Sequence, residues 1–313
     1  MLSWPKTQLK AVLSASQFDR ELLDFLLSIS KKIETALRTK RVLPLLSDYV
    51  LATLFFEPST RTRLSFEAAM HRLNGKVIST VGVQFSSLAK GESLFDTLKM
   101  VEAYSDICVI RHSTEGASAV AAKNISIPVI NAGDGAGEHP TQALLDLYTI
   151  AKHKNLQDDF TVAFIGDIRY GRTIHSLIQL LWHYPAKLLF ISPPELALPE
   201  KYKSLLKEKN ISFVETADIR EACTADVLYV TRIQEERFLD RQEYEKFKDS
   251  YIVNRQFVES CKNNVIVMHP LPRLNEISTD LDSHPSAVYF EQAQNGLYTR
   301  MALLLYLTGV DFS

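Results

Sequence analysis

The chain has 313 residues, 46% hydrophobic and 23% charged, the make-up of an ordinary globular protein of one large or two medium domains. Its net charge of −2 signals no basic face for general nucleic-acid binding, so local arginine clusters must serve small anions. No stretch approaches the roughly 18 apolar residues of a membrane span, and residues 1–10 lack a signal-peptide core, which points to a cytoplasmic protein.

In chain order, residues 50–56 read as the first strand. It stops at Glu57-Pro58, and Ser59, Thr60, Arg61, Thr62 and Arg63 follow. Phe66, Ala69, Met70 and Leu73 then fall at i, i+3, i+4 and i+7, the stripe of a packed helix. The polar cluster therefore sits at a strand-to-helix turn, where unpaired amides and the helix dipole attract an anion. Three hydroxyls and an arginine that can fork onto phosphate oxygens exceed what an N-cap needs. Further strands are expected at 76–80, 106–110 and 128–130, with a long polar loop over 80–97 that contains Ser86, Ser87 and Lys90. A loop of that length in a compact domain is usually functional or disordered, and here it reads as a lysine that closes over an anion.

Arg111-His112 and residues 131–139 follow the third and fourth strands. His139 precedes Pro140, a favoured first helical residue, so its ring is placed at a helix N-terminus. That dipole favours neutral imidazole, which donates a hydrogen bond to a carbonyl oxygen rather than acting as a base. Ala143, Leu144, Leu147 and Ile150 define the long helix, about 140–152.

A second strand set is expected at 161–165, 187–191, 227–230 and 265–268, with a helical stripe at Ile174, Leu177, Ile178 and Leu181. Gly166-Asp-Ile-Arg-Tyr-Gly171-Arg172-Thr173 nearly fits the P-loop pattern, but Arg172 replaces its lysine, and Ile168 breaks GxGxxG. Arg172 is better cast as a carboxylate ligand. Arg232-Ile233-Gln234 and His269-Pro270-Leu271-Pro272 follow the next strands; the prolines of the latter fix carbonyl oxygens suited to an NH2 group. Cys108 reads as a buried small hydrophobe, and three cysteines without CxxC or metal spacing fit a reducing compartment.

This β–α alternation predicts an α/β protein of two doubly wound parallel-sheet domains rather than a single barrel. The expected boundaries are 1–150, completed by the C-terminal helix and tail 291–313 packing back on the first domain, and 151–290. Ligands of such sheets bind beyond the carboxyl ends of strands, which predicts an interdomain cleft for a multiply anionic ligand.

Ser59-Thr60-Arg61-Thr62-Arg63, Arg111-His112, His139-Pro140-Thr141-Gln142, Gly171-Arg172-Thr173, Arg232-Ile233-Gln234 and His269-Pro270-Leu271-Pro272 together resemble the aspartate/ornithine carbamoyltransferase family, in family order across nearly the whole chain. The resemblance implies transfer of the carbamoyl group of carbamoyl phosphate to the α-amine of L-aspartate, a step of pyrimidine biosynthesis. It implies that Ser59, Thr60, Arg61 and Thr62 bind the phosphate. Thr60, Arg111 and His139 would polarise the carbonyl, and Gln142 with the Pro270 and Leu271 carbonyls would hold the NH2. Arg172, Arg232 and Gln234, with Lys90 and Leu271, would bind aspartate. Ser86 and Lys90 would enter a neighbouring subunit's site in a homotrimer, with Ser86 chosen over Ser87. Glu57 would pair with Arg172 and Arg237 on domain closure, and the Leu271–Pro272 bond would be cis. No metal or cofactor is required; regulatory or dihydroorotase subunits are possible partners. Two alternatives stand beside this reading. An ornithine enzyme would be expected to carry Asp-x-x-x-Ser-Met-Gly, which is absent, and cysteine where Pro270 stands. A non-catalytic binding subunit would be expected to lose Arg61, Lys90 or Arg111, and all three are present. A magnesium-dependent NTPase is a weaker third option.

Overall fold

The computed structural model describes residues 4–82, 87–135, 137–235, 238 and 240–312. The chain divides into two compact units, Met1–Tyr148 with Gln294–Ser313, and Thr149–Ala293.

The first unit is built on β1 (Ala11–Val12), β2 (Val50–Phe55), β3 (Lys76–Val81), β4 (Ile107–His112) and β5 (Val129–Asp134), in the order β1-β5-β4-β2-β3. Every pairing is parallel, so each return to the same edge needs a crossover. The crossovers carry α1 (Arg20–Leu37), α2 (Thr60–Arg72), α3 (Leu94–Tyr104) and α4 (Ala117–Asn124), and α5 (Pro140–His153) follows β5. Asp19 caps α1 by accepting from the Leu22 amide at 2.8 Å, and Ser93 caps α3 through the Asp96 amide at 3.1 Å. Each such cap satisfies an amide that has no partner inside its own helix. Ala52, Leu54, Cys108, Ile110 and Val129 form a core with Leu98 and Val101 of α3.

The second unit repeats the plan. Its strands are β6 (Phe160–Ile165), β7 (Ala186–Ile191), β8 (Phe213–Thr216), β9 (Val227–Val230) and β10 (Ile266–Met268), in the order β10-β9-β6-β7-β8 and again all parallel. Its helices are α6 (Arg172–Leu181), α7 (Glu200–Glu208), α8 (Arg241–Phe247) and α9 (Arg255–Glu259). Residues 174–181 of α6 are all buried, which is why its sequence is apolar on more than one face. The last helix, α10 (Tyr289–Thr308), contributes Gln294 onward to the first unit. There Tyr306 Oη accepts from the Leu9 amide at 2.7 Å and donates to the Thr7 carbonyl at 2.8 Å. Among the described residues no helix is long and apolar enough to cross a membrane.

Each sheet has one place where strand order reverses. In the first unit it lies between β2 and β4, and in the second between β6 and β9. In doubly wound sheets the crevice beyond the carboxyl ends at that reversal is the ligand site.

Two strands were not expected from sequence. β1 has only two residues, and β8 is an edge strand with a partly exposed pattern, so neither offers an apolar run. The segment 80–97 is not a single loop: it finishes β3, forms a 3-10 turn over Ser87–Lys90 and starts α3 at Leu94. β5 runs to Asp134 rather than stopping at Ile130, because Asn131 and Asp134 bury their polar groups against each other at 3.1 Å.

Candidate functional site

At the reversal point of the first unit, β2 delivers Glu57 and α2 begins one residue after Ser59. Ser59 occupies the N-cap position, yet its hydroxyl makes no capping bond. Thr62 is buried, while Thr60 and Arg61 at the tip of the helix are exposed. The site therefore opens at a helix N-terminus with amides and hydroxyls not used up by capping, as an anion site requires.

β4 delivers Arg111 alongside, its Cα paired in register with that of Phe55. Its side chain is buried, with Nη2 donating to Glu57 Oε1 at 3.0 Å and Nη1 to the Ala132 carbonyl at 3.2 Å. Its Nε finds no hydrogen-bond partner among the described residues. Burial lowers the Arg111 pKa and Glu57 opposes that fall. Arg61 is lowered first by its own desolvation and then by the positive charge of Arg111. Two guanidinium groups close enough to repel each other are a standing attraction for a polyanion.

β5 and the turn behind it complete the first cluster. Gly133 has φ +110°, and a Cβ there would stand 2.8 Å from Arg111 Nη1 and 3.5 Å from His139 Cδ2. Only a residue without a side chain lets these two groups flank the backbone so closely. His139 is buried and its carbonyl accepts from the Gln142 and Ala143 amides at 3.0 and 3.1 Å, so it caps α5 as the His-Pro order predicted. Asn131, Asp134 and Glu138 brace the turn. Asn131 Nδ2 donates to the Leu13 carbonyl at 2.9 Å, Asp134 Oδ2 accepts from the Gly116 amide at 3.0 Å, and Glu138 Oε2 accepts from the Ala15 amide at 2.7 Å. Gln142 Nε2 donates to Asp146 Oδ1 at 2.9 Å. Lys90 is exposed at the end of its 3-10 turn. Ser86 lies outside the described residues.

The second unit gathers its own cluster at the β6/β9 reversal. Gly166 takes φ +115°, where a Cβ would lie 2.2 Å from the Thr231 carbonyl oxygen, so the turns after β6 and β9 touch. Asp167 is wholly buried in that turn. Its Oδ1 accepts from the Tyr170 amide at 2.9 Å, and Oδ2 faces the Gln234 amide and Nε2, each at 3.5 Å. Burial raises its pKa, against those donors and the charge of Arg232. Arg172 opens α6 and is half-buried, as are Arg232 and Gln234.

After β10 the Leu271–Pro272 bond is cis and Leu271 has φ +54°. The fold of this loop is enforced by His269. Its Nδ1 accepts from the Leu271 amide at 2.8 Å, which leaves Nε2–H to donate to Glu276 Oε1 at 2.8 Å. Glu276 also accepts from the Leu274 amide at 3.1 Å. Desolvation raises the Glu276 pKa, but the His269 hydrogen bond and the backbone amides together outweigh it, and the net direction is down.

The structure thus brings Glu57, Ser59, Thr60, Arg61, Thr62, Arg111 and His139 to one sheet edge, and Arg172, Arg232 and Gln234 to one edge of the other sheet. Arg237 lies outside the described residues. Glu57 partners Arg111 within the first unit, a contact the sequence did not announce. Gly133, Asp146, Asp167 and Glu276 were also missed as supporting residues; for Asp167 and Glu276 a carboxylate following a strand was the available signal.

Two parallel α/β units, each carrying arginine at its reversal point, suit anionic ligands. The chain belongs to the aspartate/ornithine carbamoyltransferase family: the carbamoyl-P binding domain matches residues 10–152 and the Asp/Orn binding domain residues 158–307. It is 56% identical over 303 residues to the aspartate carbamoyltransferase catalytic subunit of Leptospira biflexa, covering 97% of this chain and 98% of that one. It is similar to the catalytic subunit of M. jannaschii aspartate transcarbamoylase, with 48% identity, TM-score 0.90 and coverage of 96% and 98%. The Trypanosoma cruzi aspartate transcarbamoylase in complex with carbamoyl phosphate and aspartate matches with TM-score 0.90 at 38% identity, over 96% of this chain and 98% of that one.

Proposed function

We propose that this chain transfers the carbamoyl group of carbamoyl phosphate to the α-amine of L-aspartate, giving N-carbamoyl-L-aspartate and phosphate in pyrimidine biosynthesis. The observation that carries the reading is that buried Arg111 and buried His139 both close on the same face of Gly133. A fixed cation and an imidazole held at a helix N-terminus together suit a carbonyl on which negative charge develops.

In this reading residues 1–150 with 291–313 bind carbamoyl phosphate, and 151–290 bind aspartate. Ser59, Thr60, Arg61 and Thr62 receive the phosphate. Thr60, Arg111 and His139 polarise the carbonyl; Gln142 and the Pro270 and Leu271 carbonyls orient the NH2. Arg172, Arg232, Gln234, Lys90 and Leu271 hold aspartate. The neutral amine attacks the carbamoyl carbon, the carbonyl oxygen takes up charge, the bond from that carbon to the bridging oxygen breaks, and phosphate leaves with the proton given up by the amine. Most of the acceleration comes from aligning two mutually repelling anions and stabilising that oxyanion. Aspartate is favoured over ornithine by charge. Arg232 next to Gln234 suits a second carboxylate, and a desolvated carboxylate needs a cationic partner.

We further propose a cytoplasmic homotrimer in which Ser86 and Lys90 serve the neighbouring site, with Glu57 and Arg237 acting in closure and regulatory or dihydroorotase subunits as possible additional partners. An assembly is supported by edge strand β3, which exposes Ile78 and Val81, and by exposed Leu64, Phe95 and Met100 on α2 and α3, more apolar surface than an edge strand normally leaves open. Purified protein supplied with carbamoyl phosphate and either L-aspartate or L-ornithine tests the reaction. A ureido product from aspartate alone is expected; none from aspartate refutes the assignment.

A further inference from the structure

Cys223 lies in the 3-10 turn Ile219–Thr224 that leads into β9, and Cys261 stands just past α9 on the way to β10. The two segments are joined by the Lys262 amide, which donates to the Cys223 carbonyl at 2.9 Å, and by the Ile266 amide, which donates to the Asp226 carbonyl at 3.1 Å. The thiols converge beside this junction. Cys223 Sγ is 3.8 Å from the Oγ of Ser260, the residue before Cys261, and Cys261 Sγ donates to the Phe257 carbonyl at 3.2 Å. Both are free and half-buried, whereas Cys108 is sealed in β4. Backbone segments already hydrogen-bonded side by side are where a disulfide can close without moving the chain.

We propose that Cys223 and Cys261 form an oxidisable dithiol that closes to an intrachain disulfide in the presence of a low-molecular-weight disulfide such as oxidised glutathione. The Cys223 thiolate attacks one sulfur of the oxidant, breaking its S–S bond and releasing one glutathione thiolate. The Cys261 thiolate then attacks Cys223 Sγ of the mixed disulfide and expels the second. Two electrons pass from the pair to one oxidant molecule, and the two thiol protons end on the two glutathione thiols released. Burial, and then the neighbouring Cys223 thiol, raise the Cys261 pKa, which favours Cys223 as the first nucleophile. Once Cys223 is capped, its contribution to that suppression is gone. The bond ties the starts of β9 and β10, the sheet edge opposite Arg232, Gln234 and His269, so it constrains the unfolded chain and leaves the site residues in place.

The test is incubation of the full chain with oxidised glutathione, alkylation of remaining thiols, and peptide mass mapping with and without reductant. A linked peptide pair containing Cys223 and Cys261 is expected, along with a Tm raised by about 5 °C or more, unchanged kcat and KM, and reversal of both changes by dithiothreitol. Cys223→Ser and Cys261→Ser should each abolish the linked peptide and the Tm rise. Glutathione retained on one cysteine, a link between chains, or no linked peptide overturns the proposal. The readout is independent of whether the chain transfers carbamoyl groups, so its failure and the failure of the activity assay are separable.

Discussion

Arg111 Nη2 and Glu57 Oε1 meet at 3.0 Å, joining the carboxyl ends of β4 and β2 at the point where the order of the first sheet reverses. The arginine is the more buried partner, with 9% side-chain exposure against 30% for the glutamate. Glu57 therefore does two things: it offsets the desolvation of Arg111 and fixes where its fork points. Truncating Arg111 to Ala should lower kcat about 10²- to 10³-fold, the scale of losing one preorganised donor at a developing oxyanion. Glu57→Gln should cost less in rate and about 1–2 kcal/mol in stability, because a buried cation loses its counter-charge while the amide keeps a hydrogen bond. Steady-state kinetics and denaturant unfolding separate the two effects.

Gly133→Ala is expected to damage activity beyond its cost in stability. The backbone at φ +110° disfavours any side chain, and the added methyl would press on Arg111 Nη1 and His139 Cδ2. Strain of about 1–3 kcal/mol is expected from the backbone, and displacement of the two groups proposed to polarise the carbonyl should lower kcat at least tenfold. A variant with wild-type kcat would show that neither group needs its present position.

Glu291 accepts from Lys152 at 2.7 Å and from His153 at 2.9 Å, tying the end of α5 to the start of α10. Its pKa is lowered to about 2, chiefly by the His153 hydrogen bond, against a normal value of 4.5. A depressed carboxylate stabilises the fold fully above its unfolded pKa, and that contribution is lost as pH falls through the folded one. Glu291→Gln should therefore lower stability by about 1 kcal/mol at neutral pH, after allowing for solvent screening. The gap between variant and parent should close between about pH 4.5 and pH 2. A gap that persists at the acid end would mean that packing, not charge, holds this corner.

Lys90→Ala and Arg61→Ala should each be nearly inactive on their own. If Lys90 serves a neighbouring subunit, mixing and reassembling the two variants should restore a fraction of the activity, since some sites then receive both intact residues. No recovery in the reassembled mixture would confine Lys90 to its own chain.

His269→Ala should lower kcat and weaken aspartate binding together, although the ring is proposed to touch neither substrate. Its Nδ1 fixes the Leu271 amide and its Nε2 engages Glu276, so its loss frees the carbonyls of 270–271. His269→Asn, whose carbonyl oxygen can still accept from the Leu271 amide, should recover part of both constants.

The sequence exposed what depends on local pattern. β2, β4, β6 and β9 are apolar runs each followed by polar or cationic residues, and that alone located Arg61, Arg111, Arg172 and Arg232. His139 as an α5 cap followed from the proline after it. What stayed hidden depends on register or rotamer. Glu57 finds Arg111 only because Phe55 pairs with Arg111 across β2 and β4, and no linear spacing encodes that. β8 escaped notice because it is a partly exposed edge strand, and β1 because two residues make no pattern. The last turn of β5 read as loop because its polar residues satisfy one another internally, a property of three-dimensional neighbours rather than of composition.

Because both sheets are parallel throughout, the chemistry-bearing residues crowd the carboxyl rim of each. At the opposite rim of the second sheet, Asp159, just before β6, and Lys187, the second residue of β7, form an exposed pair at 3.2 Å with 72% and 59% of their side chains accessible. A fluorophore, affinity handle or surface tether attached at either position would report on or immobilise the enzyme while turnover continued undisturbed.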